Sequence, residues 1–326
     1  MKIANGRFAI TGGASLIGSH VADRLLAEGA AEVILLDNFA LGTPEAVAHL
    51  DGDERVKLVR GDILRVGELY DAIQGCDGVF AIAGFLTLPL TQNPPLGLAV
   101  NVDGMVNVFE ACRFAGVKKV VFSSSIAAIG EPGPEPITEE THSNLAAFQA
   151  GTKLYASSKL IGEALCELYS AKHGVDGVAL RYATVYGERQ HYRGVNALYI
   201  IQNYERIARG ERPQITGDGS EVHDYVHVAD VARANVMAMA SDVSGEVFNI
   251  GSGVSTNLIR LVEILRELTG TDLEPEFVEA KGAVKSTSGS TIDFRIEKAK
   301  AMLGWEPEVG IEEGIARVIE WRKGQP

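Results

Sequence analysis

Phe8-Ala9-Ile10-Thr11-Gly12-Gly13-Ala14-Ser15-Leu16-Ile17-Gly18 passes from a short apolar run through a glycine-rich turn into an amphipathic stretch that continues to about Glu28. The pattern predicts a strand, a tight turn and a helix, and the helix start then offers unpaired N–H groups to a diphosphate. Gly12 and Gly13 permit the turn, Gly18 lets helix and strand pack closely, and Leu16 and Ile17 open the helix. The middle position holds Ser15, where glycine is usual in such turns. Its Cβ crowds the approach of the backbone to the phosphates, while its hydroxyl can donate to one.

Outward from this turn, apolar runs of four to six residues alternate with amphipathic stretches as far as Phe122, the sequence sign of strand, crossover helix and strand. The expected strands are Phe8–Thr11, Glu32–Asp37, Val56–Gly61, Gly78–Ala83 and Lys119–Ser124, with two more near Val175–Arg181 and Val247–Gly251. Each is rich in Val, Ile, Leu or Phe and nearly continuous, as strands covered by helices on both faces are. Right-handed crossovers then give an α/β fold with a doubly wound, parallel, seven-stranded sheet. Two segments break the rhythm. Glu131–Gln149, with Pro132, Gly133, Pro134 and Pro136, reads as a long surface loop near the functional end of the sheet. Tyr182–Gly219 and the stretch from about Thr256 alternate helices with irregular pieces, which predicts a smaller C-terminal lobe over the carboxyl ends of the strands. The expected division is residues 1–181 with about 221–252 for the nucleotide-binding unit, and 182–220 with 253–326 for the substrate lobe.

The 326 residues include 30 Lys and Arg against 43 Asp and Glu, a net charge of −13. A phosphate-backbone binder would work against that field, so nucleic acid is not an expected partner, whereas a local cluster of amides can still hold a diphosphate. Cys76, Cys112 and Cys166 lie in apolar contexts without ligand spacing, which predicts reduced thiols in a core and no metal site. Residues 1–6 have no signal-like apolar region, and no run reaches the ~18 apolar residues of a membrane span, so a cytoplasmic protein is expected. His20, His49, His142 and His173 stand singly, which favours surface or capping roles over metal binding. Trp305 and Trp321 read as lobe packing, and His191 and Tyr192 lie in the lobe within reach of a ligand.

Asp37 ends the second strand 19 residues after Gly18, close to the ~20 at which a carboxylate accepts from an adenosine ribose hydroxyl. That favours NAD over NADP, because a 2′-phosphate would meet like charge and Asn38-Phe39-Ala40 supplies no arginine. A turn cap is the plainer alternative. Tyr155 and Lys159 stand at i and i+4 of a segment that runs to about Lys172. An ammonium beside a phenol stabilises the phenolate and lowers a pKa of about 10, making Tyr155 a candidate general acid/base. Taken alone, a pair at this spacing is more often a surface pair. Phe122-Ser123-Ser124-Ser125 closes the fifth strand, where Ser125 can hydrogen-bond a reacting oxygen or cap the next turn.

Together these residues resemble the extended short-chain dehydrogenase/reductase family, in its NAD-dependent epimerase/dehydratase branch, over almost the whole chain. The likeness extends through Gly61-Asp62-Ile63, Asn101-Val102-Asp103-Gly104, Leu180-Arg181-Tyr182 with Val185-Tyr186-Gly187, Asp224-Tyr225-Val226-His227-Val228-Ala229-Asp230, Asn249-Ile250-Gly251 and Leu303-Gly304-Trp305-Glu306-Pro307. The resemblance implies a Rossmann domain with NAD as cofactor. Asp62 and Ile63 would flank the adenine; Asn38, Ala81, Ala83, Gly84, Asn101 and Ser123 would line the cofactor, and Tyr155 and Lys159 would hold its nicotinamide end. It further implies a sugar-nucleotide epimerase acting at C4, which passes a hydride from the substrate to NAD, lets the keto sugar turn, and takes the hydride back on the other face. Tyr155, Lys159 and Ser125 are then the catalytic residues. Dehydratases of this branch follow the active-site hydroxyl residue with an Asp-Glu pair, and Ile126-Ala127 here disfavours elimination.

On the same resemblance the substrate residues are Ser125, Tyr155, Thr184, Arg189, Arg193 and His223. His223 and Thr184 stand where relatives that bind UDP-sugars commonly have Arg and Asn, and Lys281 and Lys285 stand near a second expected Arg. Neutral His is a poorer phosphate partner than a guanidinium. A dehydrogenase or reductase of the same fold, acting on a non-nucleotide alcohol or ketone, is therefore the alternative. The apolar stripes of Val102–Cys112 and Tyr155–Lys172 imply, again by resemblance, a homodimer through a four-helix bundle.

Overall fold

The computed structural model describes residues 1–131, 133, 135–190, 198–279 and 292–325. These form twelve strands: β1 (Arg7–Thr11), β2 (Glu32–Asp37), β3 (Val56–Arg60), β4 (Gly78–Ala81), β5 (Lys119–Ser125), β6 (Asp176–Tyr182), β7 (Thr184–Tyr186), β8 (Gln214–Thr216), β9 (Val222–His227), β10 (Glu246–Ile250), β11 (Ser255–Asn257) and β12 (Glu276–Val278). Seven make one all-parallel Rossmann sheet in the order β10-β6-β5-β4-β1-β2-β3. The strand order reverses between β1 and β4, and such a reversal opens a crevice at the carboxyl ends of the strands.

Side-chain alternation divides the strands between two cores. Phe8, Ile10, Leu35, Val121 and Leu180 face the helices Leu16–Ala27 and Val228–Ala240. Ala9, Ile34, Val79, Phe122 and Ala179 face Val66–Ile73, Gly104–Ala115 and Ala150–Lys172. Double coverage explains why the strands read as continuous apolar runs. β3 departs from that expectation: it closes the sheet at one edge, and three of its five residues, Lys57, Leu58 and Arg60, are exposed. The three cysteines are free thiols buried in the second core.

The smaller lobe holds a three-stranded sheet, β11-β9-β7, and the pair β12-β8. Its own core gathers Tyr186, Ile200, Tyr204, Leu261 and Ile315. β9, placed by the sequence reading with the nucleotide-binding unit, pairs with β7 and β11 while Val222 and Val226 pack in the main core. Trp305 is another correction: it lies in the main core and donates from Nε1 to the Asp230 carbonyl, 3.0 Å away. The segment 131–149 is less superficial than expected. Ile137 is buried and bonds through its backbone to Asp293 and Arg295, and Glu139 accepts from the Asn249 N–H at 2.8 Å, so the segment covers the exposed edge of β10.

The helix Ala150–Lys172 begins five residues before the expected Tyr155, and it lies unusually close to the sheet. A Cβ on Gly162 would come within 2.2 Å of the Phe122 ring, and one on Gly177 of β6 within 2.5 Å of the Cys166 Cα. Backbone cannot rotate away as a side chain can. Gly177→Val should therefore cost about 1–3 kcal/mol by overpacking, read as a lower midpoint at unchanged slope in urea unfolding; an unchanged midpoint would contradict this packing.

Candidate active site

The glycine turn is built from contacts that exclude side chains. Gly12 has φ +70°, and a Cβ there would sit 2.9 Å from the Ala83 nitrogen. A Cβ on Gly13 would meet Leu35 of β2 at 2.7 Å, and one on Gly18 the Gly12 carbonyl oxygen at 2.3 Å. Ser15 caps the helix that follows. Its hydroxyl donates to the Gly12 carbonyl at 2.7 Å and accepts from the Gly18 N–H at 3.1 Å, so the proton expected to reach a phosphate is spent inside the turn.

Asp37 serves as the turn cap and also stands at the cleft. The buried carboxylate ties down the turn by accepting from the Ala14 and Phe39 N–H groups, 3.0 and 2.8 Å away, and it also lines the cleft. The cleft is open to solvent on one side and spans about 560 Å³, with Gly12, Ser15, Asp37, Asp62, Ile63 and Gly84 among its walls. Asn38 joins them and donates to Asp62 at 3.0 Å. A floor that tolerates no side chain at Gly12, beside a helix N-terminus, fits a dinucleotide. Leu16 and Ile17 pack partly against the main core, and Ala81 is buried in the second, so the wall after β4 is made by Ile82 to Phe85. Asn101 braces that wall from a π-helical turn, Ala99–Asp103, accepting from the Phe85 N–H at 2.7 Å and donating to its carbonyl at 2.9 Å. Gly42 was not foreseen: a Cβ there would fall 2.8 Å from the Asp37 carboxylate, and nothing in Leu41-Gly42-Thr43 announces this in sequence.

Tyr155 and Lys159 are buried where this wall meets the helix Ala150–Lys172. Lys159 Nζ donates to the Ser123 carbonyl at 2.8 Å, lies 5.6 Å from the centre of the Tyr155 ring, and would touch a Cβ on Gly84 at 3.6 Å. Ser125 faces the Tyr155 phenol, and its oxygen accepts from the Ala127 N–H at 3.2 Å, so it also caps a turn. Ser123 Oγ turns the other way, to the Tyr182 hydroxyl at 3.1 Å. Burial pushes the phenol above its ordinary value, with the neighbouring Ser125 opposing. The acidified phenol expected from the i, i+4 spacing is thus not found in the protein alone, where desolvation prevails. Burial also drives Lys159 down to about 8, against the pull of Glu163.

On the lobe side, Thr184 and His223 are brought together at 3.4 Å, and His223 Nε2 lies 2.9 Å from Glu221. Arg189 goes elsewhere, to Asp23 at 2.6 Å and His49 at 2.7 Å, against the helix Leu16–Ala27. Arg193, His191, Tyr192, Lys281, Lys285, Pro132 and Pro134 lie outside the described residues. Among the described residues no three His, Cys, Asp or Glu are grouped to hold a metal ion, and no helix is long and apolar enough to cross a membrane.

A model of the NAD dependent epimerase/dehydratase family matches residues 8–251. The chain belongs to that family. It is 33% identical over 320 residues to a UDP-glucose 4-epimerase of Mycolicibacterium smegmatis, covering 97% of this chain and 98% of that protein. The crystal structure of a UDP-glucose 4-epimerase from Thermotoga maritima with UDP-glucose is similar at a TM-score of 0.86 and 32% identity, over 97% of this chain and 98% of that one. A UDP-glucose 4-epimerase of Thermus thermophilus in complex with NAD gives 0.84 and 31%, over 98% and 99%.

The Lys159 value carries a sign. Its ammonium is complete well below pH 8 and discharges as pH rises through about 8. Turnover that depends on that cation should hold on the acid side and fall on the alkaline side, and in Lys159→Arg, which cannot discharge, residual turnover should lack that limb.

Proposed function

We propose that this chain is an NAD-dependent nucleoside-diphosphate-sugar epimerase that inverts C4, with UDP-galactose and UDP-glucose as the pair to test. The observation that carries the reading is the buried Tyr155–Lys159 pair at the Gly84 end of the cleft, with Lys159 Nζ donating to the Ser123 carbonyl. The relatives, which are UDP-glucose 4-epimerases, support the sugar and the carbon. NAD would be held by the turn from Gly12 to Gly18, by Asp37, by the Asp62–Ile63 edge and by Lys159. When bound, it supplies a reversible hydride acceptor.

The chain's own part is proton movement. Ser125 orients the sugar oxygen, and Tyr155 Oη takes its proton and later returns it. Because burial holds the phenol protonated, its ionisation relies on positive charge nearby, which Lys159 provides. Ile126 and Ala127 form an apolar turn after Ser125. Elimination of water would need a carboxyl acid and base at that place, so the sequence of steps closes on itself and regenerates the cofactor.

The purified protein should interconvert UDP-galactose and UDP-glucose without added NAD and keep NAD bound through gel filtration. Tyr155→Phe should lower turnover by ~10²–10⁴-fold. The carboxylate of Glu221 beside His223 favours the second reading, a dehydrogenase acting on a non-nucleotide alcohol. That reading wins if NAD is consumed one for one with product and no UDP-, dTDP-, GDP- or CDP-sugar raises the melting temperature.

The proposal includes a homodimer in the cytoplasm. Leu154, Ile161 and Leu168 recur every seven residues along the helix Ala150–Lys172 and are all exposed, as is Phe114 on Gly104–Ala115. Such a stripe supports a four-helix bundle between two copies, and the three buried thiols support a reducing compartment. Light scattering should give twice the chain's 34.8 kDa, and Ile161→Glu with Leu168→Glu should return a monomer.

A further inference from the structure

Tyr155, Lys159 and Glu163 stand at i, i+4 and i+8 on one face of the helix Ala150–Lys172, and each meets a different member of Ser123-Ser124-Ser125. Tyr155 faces Ser125, Lys159 donates to the Ser123 carbonyl, and the Glu163 carboxylate accepts from the Ser124 hydroxyl at 2.5 Å. Arg181, paired with Ser124 in the β5–β6 register, then clasps Glu163 with both arms: Nε to Oε1 and Nη2 to Oε2, each at 2.8 Å. Arg181 and Glu163 are 6% and 7% exposed, so the pair is buried as a unit. Apolar residues of similar volume would often serve stability as well as such a pair, so stability alone does not account for it.

We propose that Glu163 is a positioning residue for Lys159, one helical turn away: its carboxylate, locked by Arg181 and Ser124, holds the Lys159 ammonium in its charged form and in place against the Ser123 carbonyl. The groups facing Lys159 are Tyr155 and Glu163 on its own helix, the Ser123 carbonyl and Phe122 ring on β5, Arg181 beyond Glu163 on β6, and the uncharged Asn101–Gly84 wall. Glu163 is the negative member of that set and the one that opposes the effect of burial on Lys159. Of the two ends of the ion pair, Glu163 is the one that acts on Lys159. Loss of Glu163 leaves a buried guanidinium near the ammonium, whereas loss of Arg181 leaves an unshared carboxylate.

The inference rests on the proposed proton role of Tyr155 and Lys159, and the experiment separates the two. Turnover against pH is measured for the NAD-bound protein as wild type, Tyr155→Phe, Glu163→Gln, Arg181→Met and the double variant Glu163→Met with Arg181→Met. The double variant replaces the pair by apolar groups and is expected to fold. In parallel, the Lys159 side chain is titrated by ¹³Cε-lysine NMR, assigned with Lys159→Arg. Glu163→Gln and the double variant should move the alkaline limb and the Lys159 titration down by about one pH unit, and Arg181→Met should leave them or move them up. A residue that merely stabilised the helix would lower folded yield without opposite pH shifts. If the double variant folds and both curves coincide with wild type, the inference is overturned, and with it any role beyond packing. If Tyr155→Phe keeps full turnover, the proposed function fails instead, while the NMR titration still decides whether Glu163 governs Lys159.

Discussion

The site depends on how closely one helix can lie on one strand. Ala150–Lys172 approaches β5 and β6 because Gly162 leaves room for the Phe122 ring and Gly177 leaves room for the Cys166 backbone. At that separation the polar side chains of the helix reach the strand itself, without intervening solvent. Three successive serines then meet the helix: Ser123 by its carbonyl, Ser124 by its hydroxyl, and Ser125 by facing the phenol. A bulkier residue at either glycine would push the helix outward and lengthen all three contacts together. Packing and chemistry are therefore one constraint here, and the interior's resistance to deformation is what fixes the phenol and the ammonium.

The cleft follows from a different feature of the same sheet. Because strand order reverses at β1 and β4, neither a helix nor a strand fills the space above their carboxyl ends. The glycine turn forms one wall and the segment from Ile82 to Phe85 the other. Asn101 connects the second wall to the helix Ala150–Lys172, since its side chain also donates to Ser158 at 3.2 Å, and Ser158 in turn bonds the Tyr155 carbonyl at 2.7 Å. The wall of the cleft and the helix that carries Tyr155 and Lys159 are thus joined through a single buried amide held in a π-helical turn. Such turns displace one residue from the regular helical bond pattern, which frees the Asn101 side chain to serve the loop instead of the helix.

Much of this was legible in the sequence because two-sided burial demands continuous apolar runs, and six of the seven strands obey it. β3 does not, since an edge strand needs cover on fewer sides and its Lys57 and Arg60 already carried the sign. Gly12, Gly13 and Gly18 were readable because each does something only glycine can do. The helix-capping part of Ser15 was not read: a hydroxyl at a helix start can serve a ligand or its own backbone, and sequence spacing does not separate the two. Arg189 was misread for a related reason, since long cations reach several partners and only the fold shows that Asp23 lies nearest. Trp305 was assigned by its place in the chain, whereas its indole N–H follows the Asp230 carbonyl into the main core. Glu163 and Arg181 left a trace that went unused: a charged residue within an otherwise apolar central strand must have a buried partner, and the matching carboxylate lies on the covering helix.

Electrostatics explains why the cation at the centre of an acidic protein has to be buried at all. With a net charge of −13, an exposed lysine would be screened within about 8 Å at physiological salt and would share its field with many carboxylates. Buried beside the phenol, the same charge acts in a low dielectric on one neighbour, yet burial also tends to strip it of its proton. The protein answers with a second buried charge of opposite sign, and that charge with a third. The alternation Lys159, Glu163, Arg181 leaves a local excess of one positive charge at the phenol while each carboxylate oxygen and guanidinium nitrogen that the pair shares is hydrogen-bonded. A lone lysine in the same pocket would lack the carboxylate that opposes the effect of burial, so the proposed chemistry asks for the chain of charges as well as for the lysine.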